Sequence, residues 1–165
     1  MPCQVRPFQA DDWELFRSLR LRSLADAPDS FRPTLAEEQA MSDDEWIDLV
    51  ASTVDHPRGL LLVADQAGDA VGVMFARVSE DGITTHVGAM WVEPHARGEG
   101  VGRELLSEAL SWGRSLGSSR AELWVTVGND LAERFYAAAG FEPTGQTDAL
   151  RDGSHLTVIA LSRDL

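Results

Sequence analysis

Residues 83–103 read Ile83-Thr-Thr-His-Val-Gly-Ala-Met-Trp-Val-Glu-Pro-His-Ala-Arg-Gly-Glu-Gly-Val-Gly-Arg103, an apolar run that leads into a glycine-rich turn. The part from Thr85 to Val92 is rich in β-branched and bulky residues, which favour a β-strand. Pro94 ends that strand, because proline has no backbone N–H to donate to a sheet. Glycines then occupy positions 98, 100 and 102, ahead of a helical pattern. The sequence therefore predicts a strand, a glycine loop and a helix in succession.

The predicted helix is amphipathic, and its first turn is suited to an anion. Glycines at the junction allow positive φ angles and let a ligand approach the backbone without meeting a Cβ atom. The free N–H groups of the first turn, at the positive end of the helix dipole, favour a phosphate. Arg97 and Arg103 add positive charge beside them, although a tight turn with solvated arginines is the alternative. The apolar face of the helix is formed by residues at helical spacing: Val101, Leu105, Ala109, Trp112 and Leu116.

Two common types of phosphate-binding loop do not fit this stretch. A Walker A loop requires a lysine, and the chain contains none. A dinucleotide-binding fingerprint requires Gly-x-Gly-x-x-Gly and an acidic residue at the end of the next strand. Here the spacing is Gly-x-Gly-x-Gly, and the next predicted strand, Ala121 to Val127, carries its only acid, Glu122, near its start. Nucleotide hydrolysis by a P-loop is excluded, and dinucleotide binding fits poorly.

A third pattern fits, and a second motif supports it. Arg97, Gly100 and Gly102 follow the spacing Arg/Gln-x-x-Gly-x-Gly/Ala after a strand. Downstream lies Asn129-Asp-Leu-Ala-Glu-Arg-Phe-Tyr-Ala-Ala-Ala-Gly-Phe141. The first pattern resembles the loop of the GNAT superfamily of N-acetyltransferases, and the second is similar to that family's Asn-x-x-Ala-x-x-Phe/Leu-Tyr-x-x-x-Gly-Phe segment. The resemblance covers about a third of the chain, with both motifs in the family's order.

The rest of the sequence predicts an α/β fold with a mixed sheet of about six or seven strands. Two adjacent hairpins make the strands from Leu60 to Val92 an antiparallel meander, and the glycine loop and helix form a parallel β-α-β crossover to the next strand. The resemblance implies that this parallel pair splays apart, with helices flanking the sheet. The remaining predicted strands are Gln4 to Phe8, Ser154 to Leu161 and an extended segment from Phe141. The remaining predicted helices begin near Asp11, Leu35, Ser42 and Asn129.

Length, composition and charge narrow the class of protein. The chain of 165 residues fits one domain, residues 1–165, with ordinary globular composition. Its formal net charge of −13 argues against general binding of nucleic acid or anionic membranes. That charge suits a cationic acceptor such as an amine, or serves solubility alone. Homodimer formation is left open.

Cysteine and histidine usage also limits the chemistry. Cys3 is the only cysteine, so the chain cannot form an internal disulfide or a cysteine-based metal site. The four histidines are scattered without ligand spacing, and we expect no metal. No signal sequence or membrane-length apolar run is present in the sequence, so we expect a cytoplasmic protein.

The resemblance implies acetyl-CoA as the co-substrate. Its pantetheine arm would lie between the splayed strands and bond to the backbone of the first, as an added strand would. Its pyrophosphate would bind the N–H groups of the loop, and Asn129 would reach the cofactor from the other wall. The implied cofactor-binding residues are Met90, Trp91, Val92, Arg97, Gly98, Glu99, Gly100, Val101, Gly102, Arg103, Asn129 and Tyr136.

The resemblance also implies catalytic roles. The Met90 N–H would polarise the thioester carbonyl in an oxyanion-hole role. Tyr136, the only tyrosine, would protonate the departing CoA thiolate, since a phenol with an ordinary pKa of about 10 can donate to it. Packing of the Tyr136 ring in the core is the alternative.

The general base is not settled by the sequence. One branch of the family carries a glutamate five residues before the motif asparagine, where this chain has Trp124. Another branch carries a glutamate eleven residues before the loop's Arg/Gln, and that position is His86; histidine is a side-chain type that can accept a proton in catalysis. His86 is therefore a catalytic candidate; Glu93, Glu122 and the absence of any base are the alternatives.

Two functions follow from these patterns. The first is direct transfer of the acetyl group of acetyl-CoA to an amine of a small molecule or protein, because no cysteine near the motifs could carry the group. The acceptor would bind between the first two helices, their loop near Phe31, and the strand of Trp91, with Trp46, Trp91 and Trp124 as lining or core residues. The second function is an acyl-CoA-binding sensor or scaffold, which would not need the phenol of Tyr136.

Overall fold

The computed structural model describes residues 2–165 and has a mixed seven-stranded sheet in the order β1-β2-β3-β4-β5-β7-β6. The strands are β1 Cys3–Pro7, β2 Gly59–Gln66, β3 Asp69–Val78, β4 Thr84–Val92, β5 Arg120–Thr126, β6 Glu142–Ala149 and β7 Thr157–Asp164. The helices are α1 Trp13–Asp26, α2 Leu35–Gln39, α3 Asp43–Val54, α4 Val101–Ser115 and α5 Asp130–Ala138. The predicted α/β class and the number of strands are confirmed.

The sheet separates two hydrophobic cores, because successive side chains of a strand point to opposite faces. Leu62 of β2 packs with Leu105 of α4 and Tyr136 of α5 on one face. Its neighbour Leu61 packs with Leu19 of α1 and Trp46 of α3 on the other. We call these the α4 face and the α1 face. Each hydrophobic run of the central strands is buried on both sides for this reason.

The parallel pair separates along its length, as predicted. β4 has nine residues and β5 has seven, yet the two strands are paired only from Thr84 to His86, opposite Arg120 to Glu122. Beyond that point β5 remains paired with β7 as far as Thr126, so β4 and β5 diverge towards their carboxyl ends. The gap therefore opens beside the residues that precede the glycine loop.

The local sequence signals at helix ends are confirmed. Ser42 and Glu45 form a reciprocal capping box at the start of α3. Asn129 caps α5 by accepting a hydrogen bond from the Ala132 N–H, and Gly140 follows that helix with a φ of +87°. Glycine adopts this left-handed backbone conformation without steric strain, which is why the helix ends there.

Two details of the predicted pattern are wrong. Leu116 lies beyond the last helical residue of α4 and is 43% exposed, so the buried face of that helix instead continues through Leu106, Leu110 and Gly113. The last strand begins at Thr157 rather than Ser154, because residues before it form a turn in which the Ser154 hydroxyl accepts from the Leu156 N–H. Among residues 2–165, no helix is both long and apolar enough to cross a membrane.

Candidate functional site

A β-bulge in β4 lies at the opening of the gap. On β3 the step from Val73 to Phe75 spans two residues, whereas the facing step on β4, from Trp91 to Gly88, spans three. Ala89 takes a φ of +51°, the left-handed conformation that absorbs the extra residue. The bulge reverses the alternation of the strand, so that Met90 packs in the core of the α4 face while Trp91 packs in that of the α1 face.

Met90 and Tyr136, two of the predicted catalytic residues, meet in the gap. The Tyr136 hydroxyl lies 3.9 Å from the Met90 sulfur, and the ring packs edge-on against Phe135 and Phe141. Tyr136 is 8% exposed, and burial raises the pKa of its phenol above the ordinary value. The phenol therefore keeps its proton at neutral pH, the form that a general acid requires. In the ladders of residues 2–165, Met90 has no partner on β3 or β5, which suits the predicted role of its backbone N–H.

The glycine loop takes the geometry that the sequence predicts. Gly98 and Gly100 have φ angles of +81° and +91°, and a Cβ atom on either would meet no atom within 4 Å. The space above both residues is therefore open to a ligand. Gly100 is the N-cap residue of α4, and the first-turn N–H groups of that helix follow directly. Gly102 instead approaches the ring of Phe135, at 3.5 Å from its ideal Cβ, and joins α4 closely to α5.

An ion-pair network from α1 fixes the end of β4. The Asp26 carboxylate accepts a hydrogen bond of 2.9 Å from the Trp91 indole N–H and is also paired with the Arg97 guanidinium. Arg97 in turn donates from Nε to the Val92 carbonyl at 2.9 Å. The hydrogen bonds from Trp91 and Arg97 lower the pKa of Asp26 below its ordinary value. The Arg97 side chain is thus held by protein groups, and its predicted contribution to cofactor binding remains a prediction.

Asn129 has protein partners in the structure as well. Besides capping α5, its amide nitrogen lies 3.3 Å from the Ser30 hydroxyl in the segment between α1 and α2. Its predicted contact with the cofactor is untested. The contact with Ser30 links the helix that carries Tyr136 to the segment expected to border the acceptor.

The three candidates for the general base each have charged or titratable neighbours. His86 lies at the paired end of β4, is 48% exposed in its side chain, and has Nδ1 4.0 Å from the Glu122 carboxylate. Glu122 is also 3.5 Å from Arg120, and Glu93 is paired with Arg22. Met90 is four residues from His86, but the bulge makes this span face only about three residues of β3, so the distance is about 10 Å along the strand. A proton taken up by His86 would therefore have to pass through water.

Between His86 and the bulge, Gly88 leaves open space on the α1 face of β4, which we call the open lane. A Cβ atom on Gly88 would meet no atom within 4 Å. Trp124 of β5 extends from the same face as Glu122, is 38% exposed, and lies beneath the Arg32 guanidinium at 5.7 Å. By contrast, Trp46 and Trp91 are core residues, and Phe31 is buried beneath Arg20. Of the tryptophans considered for the acceptor site, Trp124 alone presents a free surface there.

Sequence reasoning missed Asp26, Ala89 and Gly88. Asp26 ends α1 and is 71 residues from its partner Arg97, so no local pattern connects the two. Ala89 does not differ in type from an ordinary strand residue. Gly88 within a strand was a usable signal, because an isolated glycine in a strand indicates a bulge or a close approach.

Two other features bear on the chemistry. Within the described residues, no group of three or more histidine, cysteine, aspartate or glutamate side chains is placed to hold a metal ion. A pocket of about 510 Å³ lies at the β2–β3 turn beside Asp65 and Gly68, and no cluster of catalytic side chains lines it. The splayed strands are the better candidate site.

Comparison with known proteins identifies the family of the chain. The family model described as "Acetyltransferase (GNAT) family" matches residues 19–141. A mycothiol acetyltransferase of Thermobispora bispora is 32% identical over 144 residues, which are 84% of this chain and 46% of that protein. A protein of the same name from Salinispora tropica is 30% identical, over 80% of this chain and 41% of its own. The chain thus spans less than half the length of these relatives.

A solved structure shows the same fold. A putative acetyltransferase from Salmonella typhimurium, determined with acetyl-CoA, superposes with a TM-score of 0.80 at 16% identity, covering 100% of this chain and 95% of that one. The family match includes the bulged strand, the glycine loop and the α5 motif. The chain therefore belongs to the GNAT family of acetyltransferases.

Proposed function

We propose that the chain transfers the acetyl group of acetyl-CoA directly to an amine. The observation that carries the proposal is the meeting of Tyr136 with Met90 in the gap between β4 and β5. A protonated phenol thus lies beside the bulge at Ala89 and Met90, the two residues that the described register of β3 and β4 leaves without an aligned partner. Family membership and the name of the acetyltransferase relatives support the reaction type.

The cofactor would enter from the glycine loop. Its pyrophosphate would lie over Gly98 and Gly100, where open space and the start of α4 favour an anion. Its pantetheine arm would extend along β4 as an added strand, because β5 has already diverged there. The thioester would then reach Met90, whose N–H would stabilise the developing oxyanion.

The acceptor would approach across the open lane on the α1 face. Its neutral nitrogen would attack the thioester carbon, and Tyr136 would give its proton to the leaving thiolate. The attacking nitrogen must lose a proton as the amide forms. His86 through water, Glu122, Glu93 or direct loss to solvent are the available routes, and the positions of the three side chains favour water as the immediate acceptor.

The first experiment separates the phenol's chemistry from its packing. Tyr136→Phe keeps the ring against Phe135 and Phe141 but removes the oxygen, so stability and acetyl-CoA affinity should be retained. Loss of a general acid lowers the rate by about 10²–10⁴-fold. We would measure thiol release against an amine panel, acetyl-CoA binding by calorimetry, and the melting temperature of one preparation.

The matched control is Phe135→Leu, which alters the neighbouring ring without removing a proton donor. A Tyr136→Phe variant with the wild-type kcat would show that water or another group protonates the thiolate. Wild-type protein that binds acetyl-CoA but releases no thiol with any amine would support the sensor or scaffold alternative. His86→Ala completes the set, since an unchanged pH–rate profile would remove His86 as the base.

A further inference from the structure

A second pocket lies on the α1 face, at the end of the open lane away from Met90. It has a volume of about 180 Å³ and is lined by His56, Arg58, Arg77, Ser79, Glu80 and His86. Arg77 is directly opposite His86 in the β3–β4 ladder, and His86 is opposite Glu122 on β5. The pocket is therefore continuous with the face on which the acceptor would lie.

Both ring nitrogens of His56 lie beside hydrogen-bond donors. Its Nδ1 lies 3.0 Å from the Arg58 backbone N–H, and its Nε2 lies 3.1 Å from a guanidinium nitrogen of Arg77. Both neighbours are donors, and a neutral imidazole has only one acceptor nitrogen. Whichever nitrogen carries the proton, one N–H of His56 faces another donor. An oxyanion in the pocket would accept hydrogen bonds from both.

The local charge supports the same ligand. Arg58 and Arg77 line the pocket, against the carboxylate of Glu80; Glu122, beside His86, is paired with Arg120. Two arginines against one glutamate give the lining an excess of positive charge in a protein whose net charge is −13. Such a local reversal of charge attracts an anion to one place on an otherwise repulsive surface.

The geometry of the lane sets the size of the ligand. From Met90 to His86 is about 10 Å along the bulged strand, the length of three residues of β3. Gly88 lies midway and leaves the lane open, and the exposed indole of Trp124 offers an apolar wall beside it. We propose that the pocket binds a carboxylate or phosphate group at the far end of the acceptor, so that the preferred substrates are amines with an acidic group about 10 Å away. This proposal rests on the proposed function for the position of the amine.

Binding of the anion is tested first, without turnover. Inorganic phosphate and acetate are titrated into the protein while the imidazole proton resonances of its four histidines are followed by NMR. The resonances of His56 and His86 should shift with saturation, and that of His155, which lies away from both the pocket and the glycine loop, should not. Arg77→Gln, at an exposed position, should raise the dissociation constant of the anion at least tenfold, whereas Arg114→Gln on α4 should leave that constant unchanged. Equal, unsaturable shifts of all four histidines would overturn the anion site.

The link to the acceptor is tested with a molecular ruler. Amino-alkyl carboxylates and amino-alkyl phosphates of increasing chain length are compared with alkylamines of equal length in thiol release from acetyl-CoA. We expect kcat/KM for one acidic series to exceed that of its matched alkylamine at least tenfold, with an optimum where the extended chain spans about 10 Å. Arg77→Gln should lower this ratio, and Arg114→Gln should not. The series with the larger ratio identifies carboxylate or phosphate as the preferred group.

The two proposals fail in different ways. A saturable anion site combined with equal kcat/KM for acidic and neutral amines would overturn the acceptor assignment while amine acetylation stands. Absence of thiol release with every amine would overturn the proposed function, and the NMR titration would still decide whether the pocket binds anions.

Discussion

Replacement of Asp26 by alanine tests whether the end of α1 holds β4 and the glycine loop in place. The substitution removes the acceptor of the Trp91 indole N–H and the partner of Arg97. A buried donor left without an acceptor costs about 1–3 kcal/mol. Because the Asp26 side chain is 30% exposed, water can enter and satisfy part of that loss. The exposed ion pair with Arg97 adds at most about 1 kcal/mol.

We therefore expect Asp26→Ala to lower the free energy of unfolding by about 1–2 kcal/mol. In a domain of this size that corresponds to a fall in Tm of about 2–8 °C, measurable by calorimetry and urea unfolding. Arg97 would lose its anchor, so its bond to the Val92 carbonyl would weaken and KM for acetyl-CoA should rise more than kcat falls. Arg17→Ala, which removes the exposed pair with Asp43, is the control and should change stability by less than about 1 kcal/mol.

The pH dependence of this contribution has a definite sign. The pKa of Asp26 is lowered in the folded protein, by the hydrogen bond from Trp91 first and by Arg97 second. Its stabilising contribution is therefore complete above the ordinary aspartate pKa of about 3.9 and is lost as the pH falls below it. The wild-type and Asp26→Ala proteins should differ most in stability near neutral pH and converge in acid. A constant difference across that range, or no difference near neutrality, would refute the network as a stabilising element.

Two further substitutions test the glycine positions. Gly100→Asp should abolish acetyl-CoA binding in calorimetry, because it places a carboxylate where the pyrophosphate would lie. The control is Gly68→Asp, which introduces the same strain of a positive φ angle in the remote β2–β3 turn and should bind acetyl-CoA normally. Equal affinity of the two variants would exclude the loop as the phosphate site. Gly113→Ala should destabilise the protein by about 1–3 kcal/mol despite the better helix propensity of alanine, because the new Cβ would lie 2.1 Å from the Thr85 hydroxyl. Thr85→Ala should restore part of that loss in the double variant, whereas additive urea-unfolding energies would show that α4 and β4 do not meet so closely.

Local patterns in the sequence were sufficient for the strand, loop and helix around Gly100. The φ angles of Gly98 and Gly100, the capping box of Ser42 and the end of α5 at Gly140 depend on residues within a few positions of each other. Hydrophobic patterns likewise predicted the antiparallel meander and the parallel crossover. The GNAT motifs added Tyr136 and Met90, and the fold brings these two side chains together.

Tertiary structure alone decided which distant groups share a site. The bulge at Ala89 depends on how β3 and β4 register, the Asp26 network joins residues far apart in the chain, and the separation of β4 from β5 depends on the pairing of β5 with β7. The pocket of His56 and Arg77 forms because the end of α3 approaches the β3–β4 ladder. Sequence periodicity specifies which face of an element is buried, but the partner across a gap is set by packing and strand register, which no local pattern contains.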